Sequence, residues 1–146
     1  MKILVLGASG MLGNAVFRYL NQQSTFDVYG SVRSLNLLKY IPNDLHAKII
    51  SNIDIENNDN LVSLFSSVKP DLVINCIGLI KQHATAESPL DALPINAILP
   101  HRLANLCAMI NARFIHMSTD CVFSGSKGEY QESDAPDAKD LYGRSY

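Results

Sequence analysis

Apolar and polar residues alternate along this chain with two different periods, which predict strands and helices in turn. The stretch "KILVLG" is a continuous apolar run that ends at a glycine, which is typical of a strand buried on both faces of a parallel sheet. From Met11 to Gln22 the apolar residues recur at helical spacing, and asparagine, arginine and glutamine occupy the opposite face. The chain is therefore predicted to begin with a strand, a glycine turn and a helix.

The same reasoning predicts four further strands, separated by helices. We expect the strands at "FDVYGSVR", "HAKII", "LVINCIG" and "ARFIHMS", and one helix between Asn57 and Val68. A longer helical stretch runs from Ser88 to Ile110. Pro94 and Pro100 should break or kink its first half, and the Leu and Met positions after Leu99 should face the core. This alternation predicts an α/β fold with a Rossmann-type, doubly wound parallel sheet of about five strands.

Composition and charge narrow the class of protein. The chain has 146 residues, is 47% hydrophobic and carries a net charge of −2, so we expect one domain without a basic surface for nucleic acid or membranes. The first apolar run is too short for a signal peptide or a membrane span, which predicts a cytoplasmic protein. Three cysteines without a C-x-x-C pair indicate reduced thiols, and the histidines lack metal-ligand spacing, so no metal site is predicted. The polar stretch after Phe123 predicts a loop.

The first chemical signal is the glycine turn "GASGMLG", between the first strand and the first helix. Gly7 would allow the tight turn, Gly10 the approach of phosphates to the backbone, and Gly13 the close packing of helix and strand. The helix dipole and the unpaired amides of the first turn favour an anion such as a pyrophosphate. The turn therefore predicts a dinucleotide site, with a turn that binds nothing as the alternative. The candidate cofactor-binding residues here are Gly7, Ser9, Gly10, Met11, Leu12 and Gly13.

The end of the second predicted strand bears on which dinucleotide is bound. A carboxylate about twenty residues beyond the turn would hold a ribose 2′-hydroxyl, but the sequence there is "GSVRS" and Asp27 comes too early. Arg33 could meet a 2′-phosphate with its planar set of donors. The sequence thus favours NADP(H) over NAD(H), and the alternative for Arg33 is an ordinary surface arginine.

The most specific signal is the run "HMSTDCVFSG", followed by "GEYQESDAP" and "LYG". With the G-x-x-G-x-x-G turn, these motifs resemble, in order and spacing, the extended short-chain dehydrogenase/reductase family of the dTDP-4-dehydrorhamnose reductase type. The resemblance implies NADPH-dependent reduction of the 4-keto group of a dTDP- or UDP-linked deoxysugar, in polysaccharide synthesis. It names a nucleotide sugar as substrate, and a homodimer is a candidate assembly.

The resemblance also implies roles for individual residues. Thr119 would donate a hydrogen bond to the keto oxygen, Ser118 beside it would contact the substrate, and Tyr142 would donate a proton to the developing alkoxide. Ser118 and Tyr142 are also candidate cofactor-binding residues. Asp54 and Ile55 would lie near the adenine, although Asp54 could equally cap a helix. The segment "NCIG", Asn75 to Gly78, ends the fourth strand and would face the cofactor, with close packing as the alternative role of its glycine. Its candidate cofactor-binding residues are Cys76, Ile77 and Gly78.

One position departs from the family pattern. A lysine is expected four residues after Tyr142, on the same helical face, but Tyr146 stands there, and Arg144 would point elsewhere. Because the motif ends there, we expect residues 1–146 to be the NAD(P)-binding domain of a longer reductase, without its substrate domain and with the helix of Tyr142 unformed. The alternative is a non-catalytic NADP(H)-binding subunit similar to the β subunit of methionine adenosyltransferase.

Overall fold

The computed structural model describes residues 1–83 and 85–146 and divides them into two compact units. The first unit, here called the sheet unit, comprises residues 1–77 and 101–117. The second, here called the helix–loop unit, comprises residues 78–100 and 118–146. Across the described ranges, no helix is both long and apolar enough to cross a membrane.

The sheet unit contains a five-stranded sheet in which every neighbouring pair of strands is parallel. The strand order is β3-β2-β1-β4-β5. The second and third strands are therefore added on one side of β1, and β4 and β5 on its other side. Residues Ile3 to Leu6 of β1 are buried, as expected for the central strand of a parallel sheet. This confirms the predicted Rossmann-type fold. The strands are β1 Lys2–Leu6, β2 Asp27–Ser31, β3 Ile49–Ile50, β4 Leu72–Asn75 and β5 Arg113–His116.

Two amphipathic helices pack in this unit as their patterns predict. Helix α1 covers Met11–Asn21 and buries Phe17 in the core cluster. Helix α2 covers Asn58–Val68, and its buried residues recur at the spacing of one helical face. The side chain of Asn57 begins α2 by accepting hydrogen bonds from two backbone N–H groups, at 2.9 and 3.2 Å. Lys69 ends it in the left-handed region, at φ 49°.

The long helical stretch is interrupted as the two prolines predict. It consists of α3 Pro89–Ala92, a π-helical turn Leu93–Ile98 and α4 Leu99–Met109. Proline lacks the N–H that would continue an α-helical ladder and crowds the preceding turn, which accounts for the widened segment at Pro94.

The prediction that the Leu and Met positions after Leu99 face the core is wrong for one of them. Leu103 and Cys107 are buried, but Met109 is 81% exposed. Two residues beyond Cys107, the helix has turned by roughly 200°, which puts Met109 on the opposite face.

Two further elements differ from prediction. Only Ile49 and Ile50 of "HAKII" form a strand, because the preceding segment Asn43–Lys48 is a 3-10 helix. Nε2 of His46 joins that turn to the segment before it, lying 3.1 Å from the carbonyl oxygen of Leu38 and 3.0 Å from that of Ile41. The helix expected to be unformed is present as α5 Leu141–Ser145, because the Asp140 carboxylate caps it by accepting the Gly143 N–H at 2.8 Å.

The helix–loop unit contains α3, the π-helical turn, a 3-10 helix Asp120–Val122, a long irregular segment and α5. The segment between Phe123 and Asp140 has no helix or strand, as predicted. Lys127 pairs with the Asp134 carboxylate at 2.5 and 2.6 Å, and Ser124 bonds to Asp137 at 2.6 Å. These contacts are largely exposed and screened by water, so they contribute little to stability.

Candidate functional site

The carboxyl ends of the parallel strands meet at one edge of the sheet unit. The Cys76 N–H donates to the carbonyl of Leu6 at 3.1 Å, which joins the chain beyond β4 to the end of β1. The Ala8 N–H donates to the carbonyl of Ser31 at 3.0 Å and joins β1 to β2 in the same way. This edge, where the strand order reverses, is where open α/β sheets bind ligands.

The three glycines of the turn "GASGMLG" are needed for different reasons. Gly7 has φ +79°, and a Cβ there would lie 2.8 Å from Cγ1 of Ile77. A Cβ on Gly13 would overlap the carbonyl oxygen of Gly7. Gly10 has ordinary extended angles, and its Cβ would meet only that same oxygen, at 3.4 Å. The fold therefore requires glycine at positions 7 and 13 but not at 10, where space is left open for a ligand.

The first turn of α1 adds donors and positive potential at the same place. Gly10 precedes the helix and contributes no side-chain cap, and the first turn holds no acidic residue. Met11 is 94% exposed and Leu12 is also exposed, so neither side chain covers the turn, while Ser9 is half-buried. The first N–H groups of a helix lack internal acceptors and favour an anion. The turn thus fits the pyrophosphate of a dinucleotide.

Arg33 lies two residues beyond β2, at the same edge, and its side chain is exposed. It makes no salt bridge to any residue in the described ranges. Asp27 lies at the other end of β2 and is paired with Lys48 at 2.5 Å. The hydrogen bond from Lys48 lowers the pKa of Asp27. Arg33 is therefore the charged side chain that follows β2 directly, and a guanidinium suits a 2′-phosphate.

Asp54 follows β3 but does not cap α2, because the cap is Asn57. Its carboxylate accepts the N–H of Glu56 at 3.0 Å, and its own N–H donates to the side chain of Asn60 at 3.1 Å. Asp54 is exposed and Ile55 is half-buried. The helix-cap alternative for Asp54 is therefore wrong, and the carboxylate shapes the turn that leads into α2.

Asn75 is the last residue of β4 and the first residue of the segment "NCIG", which the sequence predicts to face the cofactor. It is fully buried, and its Oδ1 accepts the N–H of Ile77 at 3.1 Å. Its Nδ2 lies 3.1 Å from Nδ1 of His116, on β5. Burial lowers the pKa of His116. Asn75 thereby fixes the segment that packs against Gly7.

In the helix–loop unit, the hydroxyl of Thr119 caps the 3-10 helix Asp120–Val122 by accepting the Cys121 N–H at 3.2 Å. The Asp120 carboxylate lies 3.5 Å from that hydroxyl, a long contact for a hydrogen bond. Ser118 is exposed and Thr119 is half-buried. The Thr119 side chain therefore has a fixed oxygen whose hydrogen can turn toward another acceptor.

Tyr142 lies on α5, which packs against the turn capped by Thr119. A Cβ on Gly143 would overlap the carbonyl oxygen of Cys121, so the two segments touch through backbone. Asp140, which caps α5, also pairs with Lys81 at 2.6 Å. The two candidate catalytic residues are thus carried by adjoining segments of the same unit.

Tyr146 follows α5, and its ring meets that of Tyr142 edge to face, with centroids 5.2 Å apart and planes at 64°. Its hydroxyl lies over Gly78, where a Cβ would overlap it. Burial raises the pKa of Tyr146, and the charge of Tyr142 and a hydrogen bond with its hydroxyl raise it further. Arg144 is exposed. The position of the family's lysine therefore holds a half-buried neutral phenol, and this contact accounts for the glycine at position 78.

Sequence reasoning missed Asn96. It lies in the π-helical turn and is 2% exposed. Its side chain accepts the N–H of Leu79 at 2.8 Å and donates to the carbonyl of the same residue at 3.1 Å. Its amide also donates to the hydroxyl of Ser145 at 3.3 Å. A buried asparagine in the apolar run "LPINAILP" thus ties α5 to the segment that begins at Gly78.

An open pocket of about 990 Å³ lies in the helix–loop unit. Its lining combines charged, aromatic and small residues, including Lys81, Asp120, Phe123, Tyr130 and Asp140. Within the described ranges, no group of three His, Cys, Asp or Glu side chains could hold a metal ion. The pocket therefore offers ring faces, hydrogen-bond donors and charges to a polar organic ligand.

The family model of the RmlD substrate binding domain matches residues 1–146, the whole chain. The chain belongs to this family. Among the curated relatives of this family member is a probable low-salt glycan biosynthesis reductase of Haloferax volcanii, 36% identical over 146 residues, covering 99% of this chain and 46% of the relative. Methionine adenosyltransferase 2 subunit beta of Xenopus tropicalis is 27% identical over 145 residues, covering 99% of this chain and 40% of the relative.

A solved structure is similar over the same length. The dTDP-4-dehydrorhamnose reductase of Bacillus anthracis, crystallised in complex with NADP, aligns with a TM-score of 0.75 and 27% identity, covering 99% of this chain and 45% of that one. The family member described here thus spans less than half of the length of these proteins. The predicted family and Rossmann-type fold are confirmed.

Proposed function

We propose that this protein is the cofactor-binding part of an NADPH-dependent reductase acting on the 4-keto group of a nucleotide-activated deoxysugar. The observation that carries the proposal is the packing of α5, with Tyr142, against the turn capped by Thr119. The family membership and the glycan biosynthesis and dTDP-4-dehydrorhamnose reductases among its relatives support the same class of reaction.

The dinucleotide would bind the turn "GASGMLG", because its open position at Gly10 and the first turn of α1 suit a pyrophosphate. When bound, NADPH supplies a hydride to the keto carbon. Arg33 would hold the 2′-phosphate, which favours NADP(H) over NAD(H). Asp54 and Ile55 would lie near the adenine. The segment of Cys76, Ile77 and Gly78 would continue the cofactor contacts beyond β4.

Thr119 and Tyr142 would act on the carbonyl group of the substrate. The Thr119 hydroxyl keeps its oxygen on the Cys121 N–H, which leaves its hydrogen to donate to the keto oxygen. As negative charge develops on that oxygen, the Tyr142 hydroxyl donates its proton, and the O–H bond of the tyrosine breaks. Ser118, exposed beside Thr119, would contact the substrate. The pocket lined by Lys81, Phe123 and Tyr130 is a candidate place for the dTDP- or UDP-linked sugar.

A second candidate function is a regulatory subunit that binds NADP(H) without catalysis. It is favoured by Tyr146, which stands where the family's catalytic lysine is expected, and by the relationship to methionine adenosyltransferase 2 subunit beta. A half-buried phenol does not provide the positive charge of an ammonium group. This candidate predicts nucleotide binding, a protein partner and no turnover.

The test is oxidation of NADPH by the intact native protein, followed by absorbance, with a dTDP-linked 4-keto-6-deoxysugar as substrate. The reductase proposal predicts turnover that Thr119→Val abolishes and Thr119→Ser largely retains, because serine keeps the hydroxyl and the cap. Undiminished turnover of Thr119→Val would exclude the proposed role of Thr119. NADPH binding without turnover by the wild type would favour the regulatory subunit.

A further inference from the structure

Tyr146 makes specific contacts with its ring and with its hydroxyl, which a residue that had merely replaced a lysine would not need. Its hydroxyl occupies a space that exists only because residue 78 is a glycine, and its ring lies against the ring of Tyr142. Asn96 ties both sides of this arrangement together, because it bonds to Leu79 and to Ser145. The phenol is therefore held in one orientation by packing and by a hydrogen-bond network.

We propose that Tyr146 is a positioning residue for the proton donor: its hydroxyl donates a hydrogen bond to the oxygen of Tyr142 and replaces a cation with a neutral donor. This inference rests on the proposed reductase function. The donor direction follows from chemistry, since the group that must lose a proton in the reaction is Tyr142 and Tyr146 stays protonated. Burial, which raises the pKa of Tyr146, keeps that proton in place over the range in which the reaction runs.

The keto carbon accepts a hydride, the electron pair of the C=O bond moves to oxygen, and the resulting alkoxide takes the proton of the Tyr142 hydroxyl. The phenolate left on Tyr142 accepts the hydrogen bond from Tyr146, and water later returns its proton. A hydrogen bond to a charged acceptor is stronger than one to a neutral acceptor, so Tyr146 stabilises the phenolate more than the phenol.

This neutral arrangement has a distinct consequence for pH dependence. An ammonium group near Tyr142 would stabilise its phenolate by charge attraction, so reduction would lose its proton donor at a lower pH. A phenol exerts a weaker effect because it brings no charge. We therefore expect this protein to keep its reductase activity to a higher pH than its own Tyr146→Lys variant.

The experiment measures kcat against pH for the intact native protein and for Tyr146→Phe, Tyr146→Lys and Tyr19→Phe. Tyr19 is exposed on α1, and its variant is the matched control for loss of a phenol hydroxyl. We expect Tyr146→Phe to lower kcat roughly tenfold or more, the effect of losing one hydrogen bond to a charged group. It should also shift the alkaline limb of the kcat–pH profile to higher pH. Tyr146→Lys should shift that limb to lower pH. Unchanged limbs in both variants would overturn the inference.

A second readout needs neither substrate nor cofactor. Ultraviolet absorbance follows the ionisation of tyrosines, and comparison with Tyr142→Phe identifies the contribution of Tyr142. We expect Tyr142 to ionise at higher pH in Tyr146→Phe than in the wild type; identical titrations would refute the inference. A wild type that shows this difference but no turnover would refute the proposed function while leaving the hydrogen bond established.

A double-mutant cycle separates the hydroxyl from the ring. Gly78→Ala adds a methyl group where the Tyr146 hydroxyl lies, so it should displace that hydroxyl and alter the titration of Tyr142. In the background of Tyr146→Phe the hydroxyl is absent, and Gly78→Ala should have a much smaller effect. Equal effects of Gly78→Ala in both backgrounds would show that the hydroxyl is not the group that matters.

Discussion

The side chain of Asn75 lies between the chain beyond β4 and the ring of His116, with its Nδ2 3.1 Å from the histidine Nδ1. The two residues are register partners on neighbouring parallel strands. Because Oδ1 of Asn75 accepts the Ile77 N–H, its amide nitrogen must face the histidine. The network thus assigns Nδ1 of His116 as an acceptor and makes the neutral imidazole the form that fits this place.

Acidification is therefore predicted to weaken the sheet unit through His116. Burial lowers the pKa of His116, whereas the unfolded chain has an ordinary value of about 6.5. Above that value both states are neutral and the free energy of unfolding is highest. As pH falls below it, the unfolded state binds a proton first, so stability declines until the folded-state pKa is reached. Urea unfolding midpoints between about pH 8 and about pH 5 measure this decline.

The variant His116→Gln should flatten the decline, because glutamine keeps an acceptor for Asn75 but does not titrate in this range. His101→Gln is the control, since His101 is exposed on α4. A pH slope in His116→Gln equal to that of the wild type would show that other groups cause the decline.

Local patterns in the sequence predicted the elements but not the contacts between distant residues. The glycine turn and α2 were found because period, glycine spacing and caps are short-range signals. The pairing of Asn75 with His116 depends on the register of β4 and β5, and the space for the Tyr146 hydroxyl depends on Gly78, far away in sequence. Neither relationship produces a periodic pattern in the sequence.

The predictions of two short elements were wrong for a related reason. The strand predicted at "HAKII" was shortened because a side chain, His46, bonds to two carbonyls of the preceding segment and holds a 3-10 turn in its place. Tertiary contacts outweigh strand propensity when only a few residues are involved. The one-turn helix α5 formed because Asp140 caps it, and this cap lies just before the motif "LYG".

The glycine turn allows folding and ligand binding to be separated by two similar substitutions. Gly13→Ala places a methyl group on the carbonyl oxygen of Gly7 and should lower the free energy of unfolding by about 1–3 kcal/mol, as overpacking does. Gly10→Ala meets only ordinary contact in the protein and should change it by less than about 1 kcal/mol. Chemical denaturation of the two variants and the wild type measures the difference.

Binding should show the opposite contrast. Because the open side of Gly10 is where the proposed pyrophosphate would lie, Gly10→Ala should weaken binding of NADP(H), measured by calorimetry, although the protein remains folded. An alanine variant at position 10 with unchanged affinity would mean that the phosphates do not approach this part of the backbone.

The selectivity for NADP(H) over NAD(H) should depend on Arg33. Replacement by glutamine removes a charged donor from the carboxyl end of β2, and we expect the affinity for NADP(H) to fall roughly tenfold or more, the effect of losing a hydrogen bond to a charged group. NAD(H) has no 2′-phosphate, so its affinity should change little. Raising the salt concentration should also reduce the preference of the wild type for NADP(H) over NAD(H), since Arg33 is exposed and exposed charges are screened.

Dissociation constants for both nucleotides, measured with the wild type, Arg33→Gln and the surface control Arg18→Gln, provide the comparison. Equal losses for the two nucleotides in Arg33→Gln would assign Arg33 to a contact that both share, and the 2′-phosphate would then need another partner.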